Sequence, residues 1–405
     1  MDATTSAPSG RASANAGLSL LGRSAEDGQA VRVTVEGGVV TALERVTDDP
    51  RGTWISPGWM DIQVNGYAGH DPNAASADAS TTAAMVRALW PKGVSGSCIT
   101  ICTESETHIL GNLRAIVAAC YADPLVAASV VGIHVEGPHI STQDGPRGAH
   151  PLRHVRPPDI AEYRRWQEAA GGRIRIITLS PEYEEAIPYI RAIVADGVVA
   201  SIGHTNATGD QIRAAVDAGA RWSTHLGNGA HAVIRRHPNY IWDQLAEDRL
   251  SAGFIFDGHH LPPAVMKTVL RAKGVERTVL VSDAVSIAGL PPGRYTLFDG
   301  GEVELLASGR LELAGTPFLA GAVTALPTCI ANAVRYAGAT LSEAIRLVTA
   351  NPSRLLGLPM AAGRESLRTG IAANLTMYRR SEVTGDVEVM RTLLGGTVVY
   401  EAPGA

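Results

Sequence analysis

Four short apolar segments of the chain each lead into a side chain that can bind a metal or carry a proton. These side chains are Glu136, His204, His225 and Asp283. Two imidazoles and a carboxylate suit a zinc-type ion that keeps one position open for water. Such an ion lowers the pKa of its water towards ~7 and polarises a carbonyl group, while a nearby carboxylate such as Asp283 accepts the proton. The pattern therefore predicts metal-dependent hydrolysis of an amide or ester.

Each of these residues also has an ordinary structural interpretation. A single histidine after a strand is often a hydrogen-bonded core or loop residue. Asp283 is followed by an alanine-rich segment and could instead be the N-cap of a helix. Glu136 lies at the end of an apolar strand, where a carboxylate is rarely buried without a partner. Four polar strand ends together favour the functional interpretation.

The centre of the chain alternates between predicted strands and helices, which indicates a parallel α/β body. The predicted strands are residues 130–135, 174–179, 198–202, 222–226, 251–256 and 278–281, and the predicted helices are 185–195, 209–218, 263–272 and 341–350. A (β/α)8 barrel of roughly 250 residues or more fits this length, and a doubly wound sheet is the alternative. In a barrel, the carboxyl ends of the strands meet at one mouth, which would bring the four polar residues together.

Both ends of the chain are predicted to form short antiparallel strands. These strands are residues 18–21, 31–35 and 39–43 near the start and 374–378, 387–390 and 397–400 near the end. We therefore expect one small, discontinuous β-domain built from 18–55 and 366–405, a catalytic barrel at 56–365, and a flexible tail at 1–17.

The composition narrows the classes of partner. The 405 residues include 35 Lys plus Arg and 40 Asp plus Glu, for a net charge of -5, so nucleic acid is not expected as a partner. No window approaches the ~20 apolar residues of a membrane span. The four cysteines form neither a disulfide framework nor a C-x-x-C pair, which predicts a reduced, cytosolic setting. Dinucleotide and Walker A motifs are absent, and the GVSGS segment at 93–97 lacks the last glycine of a nucleophile elbow.

Five motifs extend this interpretation to a known family. They are PGWMD at 57–61, HVEGP at 134–138, GHTNA at 203–207, THL at 224–226 and SDA at 282–284. Their types and order resemble the amidohydrolase superfamily, and most closely its N-acetylglucosamine-6-phosphate deacetylases. The resemblance implies a metal-dependent (β/α)8 barrel with a small β-sandwich domain, usually dimeric, that removes acetate from an N-acetylated amino sugar.

The same resemblance implies roles for individual residues. Glu136, His204 and His225 would hold one divalent metal ion per subunit, with zinc expected and iron or another divalent ion as alternatives. Asp283 would be the general base that later protonates the leaving amine. His150 is similar to a histidine that polarises the substrate carbonyl.

Two positions depart from the metal site of many amidohydrolases. Where those proteins have H-x-H at the end of the first barrel strand, this chain has Gln63 and Asn65. Both are poor zinc ligands, so one metal is favoured over two, and these residues are candidates for a second-metal or water-binding position. A carboxylated lysine is not expected, because the three lysines are Lys92, in a turn, and Lys267 and Lys273, on one predicted helix.

The residues expected to bind substrate leave more alternatives open. Asn228 and Gly229 lie in a loop where the family has bulkier neighbours, and Arg236 and His260 are similar to residues that bind the substrate phosphate, often from the partner subunit of a homodimer. Trp and Tyr side chains at 239–244 could instead stack on an unphosphorylated sugar. The substrate could then be an unphosphorylated or differently N-acylated amino sugar, or an N-acyl amino acid. A non-catalytic sugar-binding barrel is a further alternative.

Overall fold

The computed structural model describes residues 17–47, 52–297, 300–316 and 318–404. The tail predicted at 1–17 therefore lies outside the described residues, apart from Gly17. Within the described residues, none of the helices has both the length and the hydropathy that a membrane crossing requires.

Eight strands pair in parallel in chain order and form the central barrel. They are β5 (Trp59–Val64), β6 (Val94–Ile101), β7 (Val130–Glu136), β8 (Ile174–Leu179), β9 (Val199–Ile202), β10 (Trp222–Ser223), β11 (Ser251–Phe254) and β12 (Thr278–Leu280). The chain beyond β12 meets the end of β5, where the Asp283 N–H donates to the Gln63 carbonyl across 2.9 Å. The predicted (β/α)8 barrel is thus confirmed over a doubly wound sheet.

Helices cover the outside of these strands. They are α1 (Ala79–Leu89), α2 (Glu106–Ala122), α3 (Pro124–Ser129), α4 (Ile160–Ala169), α5 (Ala186–Ala195), α6 (Gly209–Asp217), α7 (Tyr240–Ala246), α8 (Pro263–Lys273), α9 (Leu326–Asn332), α10 (Leu341–Arg346) and α11 (Ala350–Leu355). Capping boxes begin α1 at Asp78, α6 at Thr208 and α10 at Thr340. The single helix predicted at 341–350 is wrong, because the backbone leaves helical geometry at Thr349 and a second helix begins there.

Two apolar layers hold the barrel together. One fills its interior and includes Met60, Ile176 and Trp222. The other lies between strands and helices and includes Ile133 and Ile190, both fully buried. Because the carboxyl ends of the strands are fixed from both sides, side chains attached there are held in defined positions.

A second sheet combines both ends of the chain, as predicted. Its strands are β1 (Leu18–Ser24), β2 (Ala30–Glu36), β3 (Val39–Arg45), β4 (Thr53–Pro57), β16 (Leu375–Arg380), β17 (Val387–Leu394) and β18 (Thr397–Glu401), in the order β18-β17-β16-β4-β1-β2-β3. Thr376 and Thr392 bond this sheet to the barrel by donating to the carbonyls of Gly93 and Trp90 across 2.8 and 2.7 Å. The domain limits at 55 and 366 stay predictions; β4 itself continues to Pro57.

A three-stranded antiparallel sheet follows the last barrel strand and was not predicted. It consists of β13 (Gly293–Thr296), β14 (Glu302–Leu305) and β15 (Leu311–Leu313). Val303 and Leu311 are buried in a small apolar cluster together with Ile287 and Ala320. This sheet fills the stretch between Asp283 and α9.

Candidate metal centre

The four polar strand ends of the sequence lie at the same mouth of the barrel. Glu136 is the last residue of β7, while His204 and His225 each follow their strand by two residues, and Asp283 follows β12 by three. Glu136, His204 and His225 together can hold a metal ion, and all three are buried. The predicted convergence is therefore present in the structure.

Three of these residues have a left-handed backbone, with φ of 49° at His204, 26° at His225 and 50° at Asp283. Residues other than glycine adopt such angles rarely, at a cost of order 1–3 kcal/mol. The turn at each position ends the strand abruptly and directs the side chain into the mouth. Strained residues in one cluster are typical of a functional site.

The ligand atoms of the cluster lie close together. Glu136 Oε1 is 3.2 Å from His204 Nε2 and 3.0 Å from His225 Nε2, and the two Nε2 atoms are 3.0 Å apart. Ligands placed about 2.1 Å from a tetrahedral zinc ion would be separated by about 3.4 Å. Small outward movements therefore suffice to admit an ion of this size.

The hydrogen bond that His204 makes through Nδ1 leaves its Nε2 free to bind a metal. Its Nδ1 lies 2.9 Å from the carbonyl oxygen of Pro146, which can only accept a hydrogen bond. Nδ1 therefore carries the proton of the neutral ring, and the lone pair of Nε2 points into the cluster. Metal-binding histidines are commonly held in this way through their second nitrogen.

The charges in the mouth also fit a cation. Burial raises the pKa of Glu136, but His204 and His225 outweigh this and hold it well below its usual range. For Asp283, burial and the Glu136 carboxylate raise the pKa to about 6. Burial lowers the pKa of His225, but Glu136 and Asp283 outweigh this and raise it to about 9. A divalent ion would relieve the repulsion between the two carboxylates and replace the proton that His225 otherwise supplies.

Asp283 is held by an amide and not by a helix. Its Oδ1 accepts a hydrogen bond from Asn65 Nδ2 across 2.7 Å. The residues that follow form turns, so the alternative prediction of a helix N-cap is wrong. The carboxylate is therefore available to reacting groups in the mouth.

Gln63 and Asn65 both use their amide nitrogens towards the site. Gln63 Nε2 donates to Glu136 Oε1 across 2.9 Å, as Asn65 does to Asp283. An amide nitrogen has no free lone pair for a metal, so neither of these two nitrogens can be a ligand in this arrangement. The Gln63 Oε1 atom is buried and has no hydrogen-bond partner within the described residues.

His150 lies at the edge of the cluster. Its ring packs edge-on against that of His204, with the centroids 4.4 Å apart, and its Nδ1 is 2.8 Å from Thr103 Oγ1. Burial, assisted by His204, lowers the pKa of His150 to about 3, so this ring stays neutral. Sequence reasoning missed Thr103; its only signal is a position just beyond the end of β6.

The residues expected to bind substrate are only partly brought to the site. Asn228 bonds to the His225 carbonyl through its main-chain N–H across 3.0 Å, and a Cβ on Gly229 would lie 2.7 Å from His204 Nδ1. His260 Nδ1 lies 2.6 Å from Asp257 Oδ2. The ring of His260 is also close enough to Asp283 to offset part of the rise in the pKa of that carboxyl group. The Arg236 side chain is exposed and makes no hydrogen bond or ion pair within the described part of the chain.

A scan of protein-family models finds no match. The chain is, however, 33% identical over 376 residues to the N-acetylglucosamine-6-phosphate deacetylase of Bos taurus, covering 89% of this chain and 88% of the other. It is also 32% identical over 347 residues to the N-acetylgalactosamine-6-phosphate deacetylase of Escherichia coli O157:H7, covering 85% and 89%.

Solved structures agree with these relatives. An aspartate-to-alanine variant of the Mycobacterium smegmatis N-acetyl-D-glucosamine-6-phosphate deacetylase, in complex with N-acetyl-D-glucosamine-6-phosphate, has a TM-score of 0.84 at 28% identity, covering 95% of this chain and 100% of that chain. Enamidase, a member of the amidohydrolase superfamily, shares the fold with a TM-score of 0.54 at 13% identity, covering 91% of this chain and 90% of that chain. The chain therefore belongs to the N-acetylglucosamine-6-phosphate deacetylase family of the amidohydrolase superfamily.

Proposed function

We propose that this protein removes the acetyl group from an N-acetylated hexosamine 6-phosphate, with N-acetylglucosamine 6-phosphate as the expected substrate. The observation that carries the proposal is the convergence of Glu136, His204 and His225 beside Asp283. The family membership supports the choice of an amino-sugar amide.

Glu136, His204 and His225 would hold one divalent ion, for which we propose zinc, with iron as the alternative. The ion supplies Lewis acidity and lowers the pKa of water, so that water becomes nucleophilic near neutral pH. Carboxylate and imidazole serve several divalent ions, so metal analysis of the purified protein is the test of identity. We expect about one ion per chain, which chelation should remove together with activity.

The protein's own residues would move the proton and orient the amide. Asp283 accepts a proton from the attacking water and then returns it to the amide nitrogen, so that the leaving group is a neutral amine. His150 donates to the carbonyl oxygen of the acetyl group, where negative charge develops in the transition state. Gln63 and Asn65 hold the two carboxylates through their amide nitrogens.

Phosphate recognition would come from Arg236 and His260, with Asn228 and Gly229 lining the sugar. A guanidinium binds phosphate through two parallel hydrogen bonds. Because the Arg236 side chain is exposed and unpaired within the described residues, we propose that it reaches the site of a partner subunit in a homodimer. The exposure of Val233, 90% on the same loop, supports a covering partner.

The test is acetate release from N-acetylglucosamine 6-phosphate, N-acetylgalactosamine 6-phosphate and N-acetylglucosamine, side by side, with protein of measured metal content. We expect the two phosphorylated sugars to be preferred by at least about a hundredfold in kcat/KM, because each charge-assisted hydrogen bond to the phosphate contributes about 1.5–3 kcal/mol. Equal values with and without phosphate would contradict the roles of Arg236 and His260. Arg236→Met should remove the preference, while Arg379→Met, on the terminal sheet, serves as the control.

A second candidate is a deacylase that acts on an unphosphorylated or differently N-acylated amino sugar. The loop at 227–229 consists of Gly, Asn and Gly, and Trp242 on the adjacent helix α7 is 51% exposed. Small residues beside the site leave room for another acyl group, and the indole could stack on a sugar face. Release of a larger acyl group at a higher kcat/KM than acetate would favour this candidate.

The four cysteines are all free of disulfide bonds. The cytosolic setting that they predict stays a prediction.

A further inference from the structure

A buried hydroxyl group contacts the ring of His150 at Nδ1. Thr103, fully buried just beyond β6, places its Oγ1 2.8 Å from His150 Nδ1 and 3.4 Å from the main-chain carbonyl of Glu136. The hydroxyl has one proton and can donate it to only one of these two acceptors. Which one receives it decides where the neutral ring of His150 carries its own proton.

We propose that Thr103 sets the tautomer of His150 by donating to Nδ1, so that the ring proton stands on Nε2 and faces the substrate. This rests on the proposed function, in which His150 donates to the acetyl carbonyl. The bond to Nδ1 is 0.6 Å shorter than the distance to the Glu136 carbonyl, 2.8 against 3.4 Å, and 3.4 Å is near the limit of a hydrogen bond. A 2.8 Å contact fits donation in either direction. If Nδ1 donated to Oγ1, however, the buried hydroxyl proton would have only the Glu136 carbonyl at 3.4 Å as an acceptor, whereas donation to Nδ1 gives this proton a close acceptor.

The surrounding backbone makes room for this contact. Gly137 follows Glu136 with a φ of +77°, and a Cβ at that position would lie 2.1 Å from Thr103 Oγ1. Any larger residue would displace the hydroxyl from its place between His150 and the main chain. The hydrogen bond of the His150 ring within the described residues is at Nδ1, so Nε2 is the nitrogen left for a ligand.

The tautomer matters because of the chemistry required of the ring. A neutral imidazole has one N–H and one lone pair. With the proton on Nδ1, Nε2 would present its lone pair to a carbonyl oxygen and repel it as negative charge develops. With the proton on Nε2, the same ring donates a hydrogen bond to that oxygen. Thr103 is thus a positioning residue that acts through His150.

Two substitutions separate this role from simple packing. Thr103→Val keeps the shape and removes the hydroxyl, and Thr103→Ser keeps the hydroxyl. Thr349→Val is the matched control, since it removes another buried threonine hydroxyl, whose partner is the Ile345 carbonyl.

Metal content, kcat and KM for N-acetylglucosamine 6-phosphate are measured for each variant. We expect kcat to fall roughly 10- to 100-fold in Thr103→Val, below the 10²–10³ of losing an oxyanion donor altogether, with KM and metal content unchanged. Thr103→Ser and Thr349→Val should retain kcat.

The tautomer itself is read by nitrogen-15 NMR of histidine-labelled, metal-loaded protein, with His150 assigned from the resonances that His150→Gln removes. We expect a protonated Nε2 in the unaltered protein and in Thr103→Ser. A protonated Nδ1 in the unaltered protein, or an unchanged kcat in Thr103→Val, would overturn the proposal. If Thr103→Val does not fold, the spectra of the other two proteins still decide. A protonated Nε2 in a protein that releases no acetate would support the tautomer and contradict the proposed function, so the two failures are distinguishable.

Discussion

Asn65 donates its amide proton to Asp283 across 2.7 Å, and Gln63 donates to Glu136 across 2.9 Å. Both donors are neutral, so they bind the carboxylates without adding charge. A carboxylate at either position would bring two negative groups into contact and raise the pKa of the pair. At the scale of single residues, the two amides therefore decide how the site titrates.

Replacing Asn65 with aspartate tests this control. In Asn65→Asp we expect the acid limb of the kcat/KM profile to move to higher pH by about one unit or more, because one of two adjacent carboxylates takes up a proton more readily. Gln29→Glu, an equal change of charge at an exposed turn of the terminal sheet, is the control and should leave the profile unchanged. A profile identical to that of the unaltered protein would show that Asn65 does not influence the base.

Asp283 should set the acid limb in the unaltered protein. Its pKa is raised to about 6 by burial and by Glu136, and a bound cation would lower it again. Only the ionised form accepts a proton, so kcat/KM should fall as the pH drops through a value at or below about 6.

In Asp283→Asn, we expect turnover to fall by more than about a hundredfold with one metal still bound. Substantial acetate release by this variant would remove Asp283 from the mechanism.

Much of this site was predictable from the sequence, since Glu136, His204, His225 and Asp283 each follow an apolar run and the ends of parallel strands converge. Thr103 was not, because a threonine after a strand gives no distinctive signal. The carbonyl of Pro146, which fixes the His204 ring, belongs to the main chain and leaves no trace in the residue types.

At the scale of elements, glycines beside the site leave space that the ligand side chains occupy. A Cβ on Gly229 would lie 2.7 Å from His204 Nδ1, the atom that bonds to the Pro146 carbonyl. A Cβ on Gly172, whose φ of +74° also disfavours other residues, would meet nothing within 4 Å. Both glycines have a positive φ, which disfavours other residues, but only at Gly229 would a side chain clash with a neighbouring atom.

This difference gives a paired prediction. Gly229→Ala should weaken metal binding by roughly 10- to 100-fold, because it displaces the hydrogen bond that orients His204. Gly172→Ala should lower the stability by a similar backbone penalty, about 1–2 kcal/mol, and leave metal affinity unchanged. Competition with a chelator measures the affinity, and equal values for the two variants would contradict the assigned role of Gly229.

Two barrel strands, β5 and β6, escaped prediction for a common physical reason, and a third, β10, is shorter than predicted. Strands β5 and β6 contain buried Asp61, Gln63, Ser95 and Ser97, polar residues that interrupt the apolar run by which a buried strand is recognised. In β10 only Trp222 and Ser223 pair as a strand, because the chain turns at His225. Sequence periodicity describes core packing, and these segments depart from it where they build or support the mouth.

At the scale of the whole molecule, His139 links stability to pH. It lies outside the metal cluster, stacked on Trp166 with ring centroids 5.3 Å apart, and its Nδ1 bonds to the Arg156 carbonyl. Burial lowers its pKa to about 4. In the unfolded chain, the His139 imidazole takes up a proton with a pKa near 6.5, whereas in the folded protein it stays neutral until about pH 4. The free energy of unfolding therefore decreases as the pH falls from about 6.5 towards 4.

We expect the loss attributable to His139 to reach about 2 kcal/mol at pH 5 relative to pH 7.5. Urea unfolding of the unaltered protein and of His139→Phe at both pH values measures it. The variant should lose less stability on acidification by about that amount, whatever its stability at pH 7.5. His237→Gln, which removes an exposed imidazole, is the control. An equal loss in the unaltered protein and His139→Phe would exclude this linkage.

The left-handed backbone at His204, His225 and Asp283 has a consequence for laboratory evolution. Glycine or asparagine would occupy these angles with less strain, so a library screened only for heat tolerance or expression would enrich such replacements. The most robust clones would then be those that had lost the ion and the base. A screen for more stable variants of this protein therefore has to select for turnover in the same round. Otherwise it will select variants with an intact barrel that no longer bind the metal ion.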